Sequence, residues 1–156
     1  MDQRIQRING RNFRKFGRVI GCDGKAGAAQ EKNLFCVVLR EHKPLGWRIA
    51  CLLVREKSIA RLECHDESFE SFEPIKGRSL LFVSDKKEHG SIRCFLLDRP
   101  VVLYKGVWHG IVTLGRETEV KISENAKVRC LYWRLGRGIE LSVSGIKSRR
   151  ARKKTR

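Results

Sequence analysis

Long apolar runs are missing from this 156-residue sequence. A helix that crosses a bilayer needs roughly 20 predominantly apolar residues, so no membrane partner is expected. Residues 1–7 (Met-Asp-Gln-Arg-Ile-Gln-Arg) also lack the apolar stretch of a secretory signal. Six cysteines are present (Cys22, Cys36, Cys51, Cys64, Cys94 and Cys130), but no two stand in Cys-x-x-Cys spacing. Most fall inside expected strands, and they read as reduced, largely buried thiols of a cytoplasmic protein. Acid is scarce: 17 Asp and Glu stand against 34 Lys and Arg, a formal net charge of +17. Such a surface attracts polyanions and steers small anions. Yet no helix-turn-helix, zinc-finger or aromatic RNA-binding signature accompanies the charge. The Gly21-Cys22-Asp23-Gly24-Lys25 run lacks the spacing of a phosphate-binding loop.

What is present is a rhythm of short strands. Strands are expected at Leu34–Leu39, Trp47–Val54, Ile59–His65, Phe72–Ile75, Ser79–Ser84, Arg93–Leu97 and Val101–Tyr104. Others are expected at Trp108–Leu114, Glu119–Ile122, Val128–Trp133 and Ile139–Val143. One short helix is predicted over Asn9–Gly17, capped by Asn9, ended by Gly17 and anchored by Phe13 and Phe16. The pattern argues for an all-β sandwich or barrel in a single domain over residues 1–145. Residues 146–156 are Lys/Arg-rich without an acid and are expected to be a disordered basic tail that can contact nucleic acid.

Two stretches carry the chemistry. Along Ile59–His65, side chains alternate, so Arg61, Glu63 and His65 share one face while Leu62 and Cys64 face away. The polar turn Asp66-Glu67-Ser68 lets Glu70 fold back beside His65. His109, on a later strand, is the natural fourth member. Two imidazoles and two carboxylates (Glu63, His65, Glu70, His109) suit Zn, Mn, Fe or Ni, with open positions for water or substrate. Arg61, Lys76 and Lys105 are candidate cations for a substrate carboxylate. A Cys-His nucleophile pair has no local support, because Cys64 alternates away from His65.

These residues resemble a known family. Small-barrel cupins carry a strand-borne ligand pair, a glutamate a few residues on, then a glycine; later come a glycine, two residues and a histidine. Glu63, His65, Glu70, Gly77, Gly106 and His109 stand at the matching positions, with Glu63 where histidine is usual. The chain looks closer still to the ureidoglycolate lyase family. Leu62-Glu63-Cys64-His65, Phe72-Glu73-Pro74-Ile75-Lys76-Gly77 and Val107-Trp108-His109 match its motifs, and Phe16-Gly17-Arg18-Val19-Ile20 resembles its opening. The resemblance runs from about Phe13 to Trp133. It implies a cupin-like small β-barrel or jelly roll with a short N-terminal helix, a divalent metal and a homodimer. It also implies cleavage of ureidoglycolate to glyoxylate and urea, or action on a related small hydroxy acid. Glu63, Glu70 and His109 would be catalytic, and Arg61, Lys76 and Lys105 would bind the substrate. The competing expectations are a metal-binding cupin of other activity and a non-enzymatic module that binds polyanions through its tail.

Overall fold

The structure is a computed structural model that describes residues 4–22, 28–30, 33–43, 45–142 and 145–150. Among these residues the chain forms β1 (Ile5–Arg7), β2 (Gly17–Val19), β3 (Ala28–Gln30), β4 (Asn33–Phe35), β5 (Trp47–Val54), β6 (Ser58–Cys64) and β7 (Glu70–Lys76). It continues with β8 (Ser79–Ser84), β9 (Arg93–Leu96), β10 (Val101–Leu103), β11 (Trp108–Thr113), β12 (Thr118–Asn125), β13 (Leu131–Ser142) and β14 (Gly145–Arg150). A single 3-10 turn, His89–Ser91, precedes β9. The protein is all-β, built as a jelly-roll-like pair of sheets. Seven strands run in the order β1-β9-β8-β11-β6-β13-β14 and five in the order β2-β10-β7-β12-β5, with β3 and β4 as a separate hairpin.

The burial pattern shows why the sheets stack. β8 reads Ser-Leu-Leu-Phe-Val-Ser and is buried at every position. Its Leu81 and Val83 join Phe72, Val120 and Ile122 of the five-stranded sheet, so this core lies between the sheets. Its Leu80 and Phe82 join Leu62, Cys94, Trp108, Val112, Leu135 and Ile139, all from the seven-stranded sheet. This second core therefore covers that sheet's other face. A strand buried on both sides has no polar alternation to keep. Gly110 on β11 sits where a Cβ would lie 2.9 Å from Leu62 Cδ2.

The helix predicted over Asn9–Gly17 is not formed; the segment folds as consecutive turns. The predicted cap does operate, since Asn9 Oδ1 accepts from the backbone N–H of Arg11 and of Asn12, both at 2.9 Å. Asn12 turns back to donate to the Arg7 carbonyl. These side-chain bonds to nearby backbone compete with a helical ladder. Phe13 and Phe16 anchor the turns as foreseen, edge-on to Phe95 at 5.2 and 6.0 Å.

Other expectations shift. The strand expected over Leu34–Leu39 ends at Phe35. The two expected over Val128–Trp133 and Ile139–Val143 merge into β13, which carries an irregularity between Arg134 and Ile139. Beyond it, Gly145–Arg150 pairs antiparallel with β13, where a tail without structure was expected from residue 146. Residues 151–156 of that tail lie outside the described residues. Cys22 and Cys36 are joined as a disulfide, which corrects the expectation of reduced thiols at these two positions. Of the other four, Cys64 and Cys94 are buried as expected, and Cys51 and Cys130 are exposed. No helix among the described residues is long and apolar enough to cross a membrane.

Candidate metal centre

The site forms where two strands of one sheet face a strand of the other. On the seven-stranded sheet, Glu63 of β6 lies directly opposite His109 of β11. Cross-strand neighbours of this kind have Cβ atoms about 5 Å apart. His65 follows β6 by one residue, and its carbonyl accepts the Gly106 N–H at 2.9 Å. Gly106 takes φ +82° there, a left-handed conformation that glycine adopts at little cost. That turn ties the end of β6 to the start of β11 and so brings the two imidazoles together, with ring centroids 5.2 Å apart. Glu70 reaches them from β7 of the facing sheet. Gly77, the other motif glycine, has φ +84° and closes the β7–β8 turn.

Glu70 Oε2 lies 2.9 Å from His109 Nε2 and 3.3 Å from His65 Nε2. Glu63 Oε1 stands 3.6 Å from His109 Nε2. His65, Glu70 and His109 are all buried, with exposures of 6%, 7% and 2%. Each ring is oriented by the main chain. His109 Nδ1 is 3.0 Å from the Val107 carbonyl and His65 Nδ1 is 3.3 Å from the Arg129 carbonyl. A carbonyl only accepts, so each Nδ1 carries the hydrogen and each Nε2 faces the cluster.

Charge and burial oppose each other here. Burial disfavours a charged His109, but the Glu70 and Glu63 carboxylates outweigh it and raise its pKa to about 10. Burial likewise pushes Glu70 up, yet His109 and His65 bring it down to about 2. For His65 burial pulls down and Glu70 prevails, a net rise. The neighbouring His109 lowers Glu63, against burial.

The cluster meets the requirements of a metal set. One donor atom from each of His65, Glu70 and His109 lies within 4.8 Å of the other two. Glu70 Oε2 and His109 Nε2, although close, are misaligned for a hydrogen bond, so both are buried donor atoms without a hydrogen-bond partner. Buried polar atoms seldom remain so, and a cation held by these residues would satisfy both. Two imidazoles and a carboxylate suit zinc, manganese, iron or nickel.

Of the other residues singled out in the sequence, Lys105 sits near the rim. It pairs with Glu41 and stands 4.7 Å from the centre of the Phe69 ring. Arg61 is exposed and lies over the Tyr132 ring at 4.5 Å, outside the buried cluster. Lys76 is not brought to the cluster. It ends β7, six residues from Glu70 or about 20 Å along an extended strand, and lines a separate depression with Pro74, Arg78 and Asp98.

Three neighbours were missed. Glu124 on β12 is the register partner of Glu70, and its Oε2 is 4.0 Å from His65 Nε2. Arg48 on β5 is the partner of Glu124 in turn and bonds it at 2.7 Å. A lateral row Arg48–Glu124–Glu70 thus crosses the five-stranded sheet. The signal for Glu124 was its place in phase with Val120 and Ile122 on one face, had the strand been carried past Ile122. Cys130, grouped with Glu63 and His65, had no local signal.

Fold and cluster together define an all-β, two-sheet protein that carries between its sheets a His65–Glu70–His109 set able to hold a metal ion. No family model matches the chain, and no curated protein does. Solved structures of oxalate decarboxylase from Bacillus subtilis are similar in part. One from work on its Mn(II) centres is 17% identical with a TM-score of 0.44, and one describing its substrate binding mode is 18% identical with a TM-score of 0.44. Each match covers 59% of this chain and 24% of that protein, so the chain spans about a quarter of its length.

Proposed function

We infer that the chain is a cupin-like protein that binds a divalent metal ion through His65, Glu70 and His109, with Glu63 at the rim, and acts on a small polar carboxylic acid. The finer reading is a ureidoglycolate lyase-like activity that releases glyoxylate and urea. The observation that carries the metal assignment is the pair of buried donor atoms, Glu70 Oε2 and His109 Nε2, which stand 2.9 Å apart yet make no hydrogen bond.

A bound ion would supply Lewis acidity toward a substrate oxygen. The chain's own residues do the rest. Val107 and Arg129 hold both imidazoles in one tautomer. Glu63 is half-buried at the edge of the cluster, where its carboxylate could exchange a proton between a substrate hydroxyl and a departing nitrogen. Lys105 and Arg61 offer positive charge at the rim for a carboxylate.

The test is elemental analysis of purified full-length protein carrying Cys130→Ser, which removes the neighbouring thiol as a ligand, beside the same protein with Glu70→Gln or His109→Ala added. Near-stoichiometric metal in the parent, lost in both folded variants, is expected; equal metal in all three would refute the site. Urea and glyoxylate release from ureidoglycolate then decides the finer reading. Metal bound without release would favour a cupin of other activity. The homodimer implied by the resemblance is proposed to cover the edge strand β5, where Trp47, Ile49 and Leu53 are exposed.

A second reading, binding of polyanions such as nucleic acid, draws on β14, whose sequence Gly-Ile-Lys-Ser-Arg-Arg forms the outer edge of the seven-stranded sheet. Affinity would then fall steeply with salt. Binding unchanged after removal of residues 147–156 would exclude this edge as its basis.

A further inference from the structure

A second donor set touches the first. Glu63, His65 and Cys130 place a carboxylate oxygen, an imidazole nitrogen and a sulfur within 4.8 Å of one another. Cys130 is exposed and immediately precedes β13. It is joined by one peptide to Arg129, whose carbonyl receives the His65 Nδ1–H. The backbone that carries the thiol is therefore tied to the ring.

We propose that Glu63, His65 and Cys130 form a rim site for a thiophilic divalent ion, zinc in the first instance, which competes with the inner set for His65. Sulfur decides the preference. A soft thiolate beside one imidazole and one carboxylate favours zinc over manganese, whereas the inner set is all nitrogen and oxygen. Three protein donors leave the fourth tetrahedral position to water or a ligand. His65 imposes the competition. With its Nδ1 hydrogen committed to the Arg129 carbonyl, only Nε2 keeps a lone pair, and one lone pair serves one ion. The competition rests on the inner metal set proposed above; the rim site itself stands on Cys130.

Cobalt(II) is the probe, because a thiolate ligand adds a near-ultraviolet charge-transfer band that nitrogen and oxygen ligands do not. The full-length protein carries Cys51→Ser, which leaves Cys130 as the exposed free thiol among those of the chain. With the inner set disabled by His109→Ala, cobalt is expected to give the thiolate band, and adding Cys130→Ser is expected to abolish it. A band that survives Cys130→Ser, or no band in a folded His109→Ala protein, overturns the proposal. Should His109→Ala fail to fold, alkylation with iodoacetamide decides in a Cys51→Ser, Glu70→Gln background, where the inner set is weakened. Zinc is expected to slow modification of the peptide containing Cys130 severalfold, and an unchanged rate overturns the rim site. The inner set is judged separately: cobalt d–d bands that persist in Cys130→Ser and vanish on adding His109→Ala uphold it whatever the rim does.

Discussion

Replacing Glu70 by Gln removes one charge from the cluster and keeps the side chain's volume. The carboxylate is buried and is drawn from the ordinary value of 4.5 to about 2 by His109 and His65, despite burial. At 1.36 kcal/mol per unit this corresponds to about 3 kcal/mol, in line with roughly 3–5 kcal/mol for breaking a buried ion pair by removing one partner. For a chain of this size that is a fall in Tm of roughly 10 °C. The pH dependence is more telling than the size. His109 is raised from 6.5 to about 10, so its contribution is complete below pH 6.5 and lost as pH climbs toward 10. Glu70 is lowered, so its contribution is complete above pH 4.5 and lost as pH falls toward 2. The gap between parent and variant should therefore be widest between pH 4.5 and 6.5 and shrink toward pH 10. Urea unfolding of both proteins with a chelator present, at about pH 5.5 and about pH 9, measures it. Equal gaps at the two pH values, or no gap, would refute the ion-pair account of this cluster.

A divalent ion must displace the protons favoured on His109 and His65, so its affinity should rise with pH and its binding should release protons; calorimetry in buffers of different ionisation enthalpy tests this, and a pH-independent affinity would contradict it. Gly110→Ala drives a Cβ to 2.9 Å from Leu62 Cδ2 and should cost about 1–3 kcal/mol. Gly17→Ala meets the Val102 carbonyl, which is backbone and cannot rotate aside, and should cost more; thermal melts in the reverse order would be decisive against this packing. Reducing the Cys22–Cys36 bond, which spans 14 positions, should lower stability by about 3 kcal/mol by the loop-entropy model. A Cys22→Ser, Cys36→Ser protein should then melt alike with and without reductant.

Much of the site was legible because it depends on local rules. Alternation along β6 placed Glu63 and His65 on one face, and two glycines at left-handed turns marked the ends of the strands that carry the ligands. What escaped was set by pairing between distant strands. Glu124 reaches the cluster through its register with Glu70, and Arg48 through its register with Glu124. Cys22 and Cys36 meet because the β3–β4 hairpin between them folds back, leaving their Cα atoms 5.4 Å apart. The Asn9–Gly17 segment shows the opposite failure: its cap was read correctly, but Asn9 and Asn12 spend their side chains on nearby backbone and stop a helix from propagating. Lys76 was placed by motif, whereas strand length carries it to the far end of β7.

The aim of the two imidazoles is set by peptide oxygens rather than by neighbouring side chains. The carbonyls of Val107 and Arg129 belong to the chain path itself, and no substitution deletes them. Surroundings of the rings can therefore be exchanged to retune affinity or charge while the inward nitrogen stays the same. Only a slip of the backbone around residues 107 or 129 would turn a ring, so a bulge or deletion there should disable the centre more completely than most point changes within it.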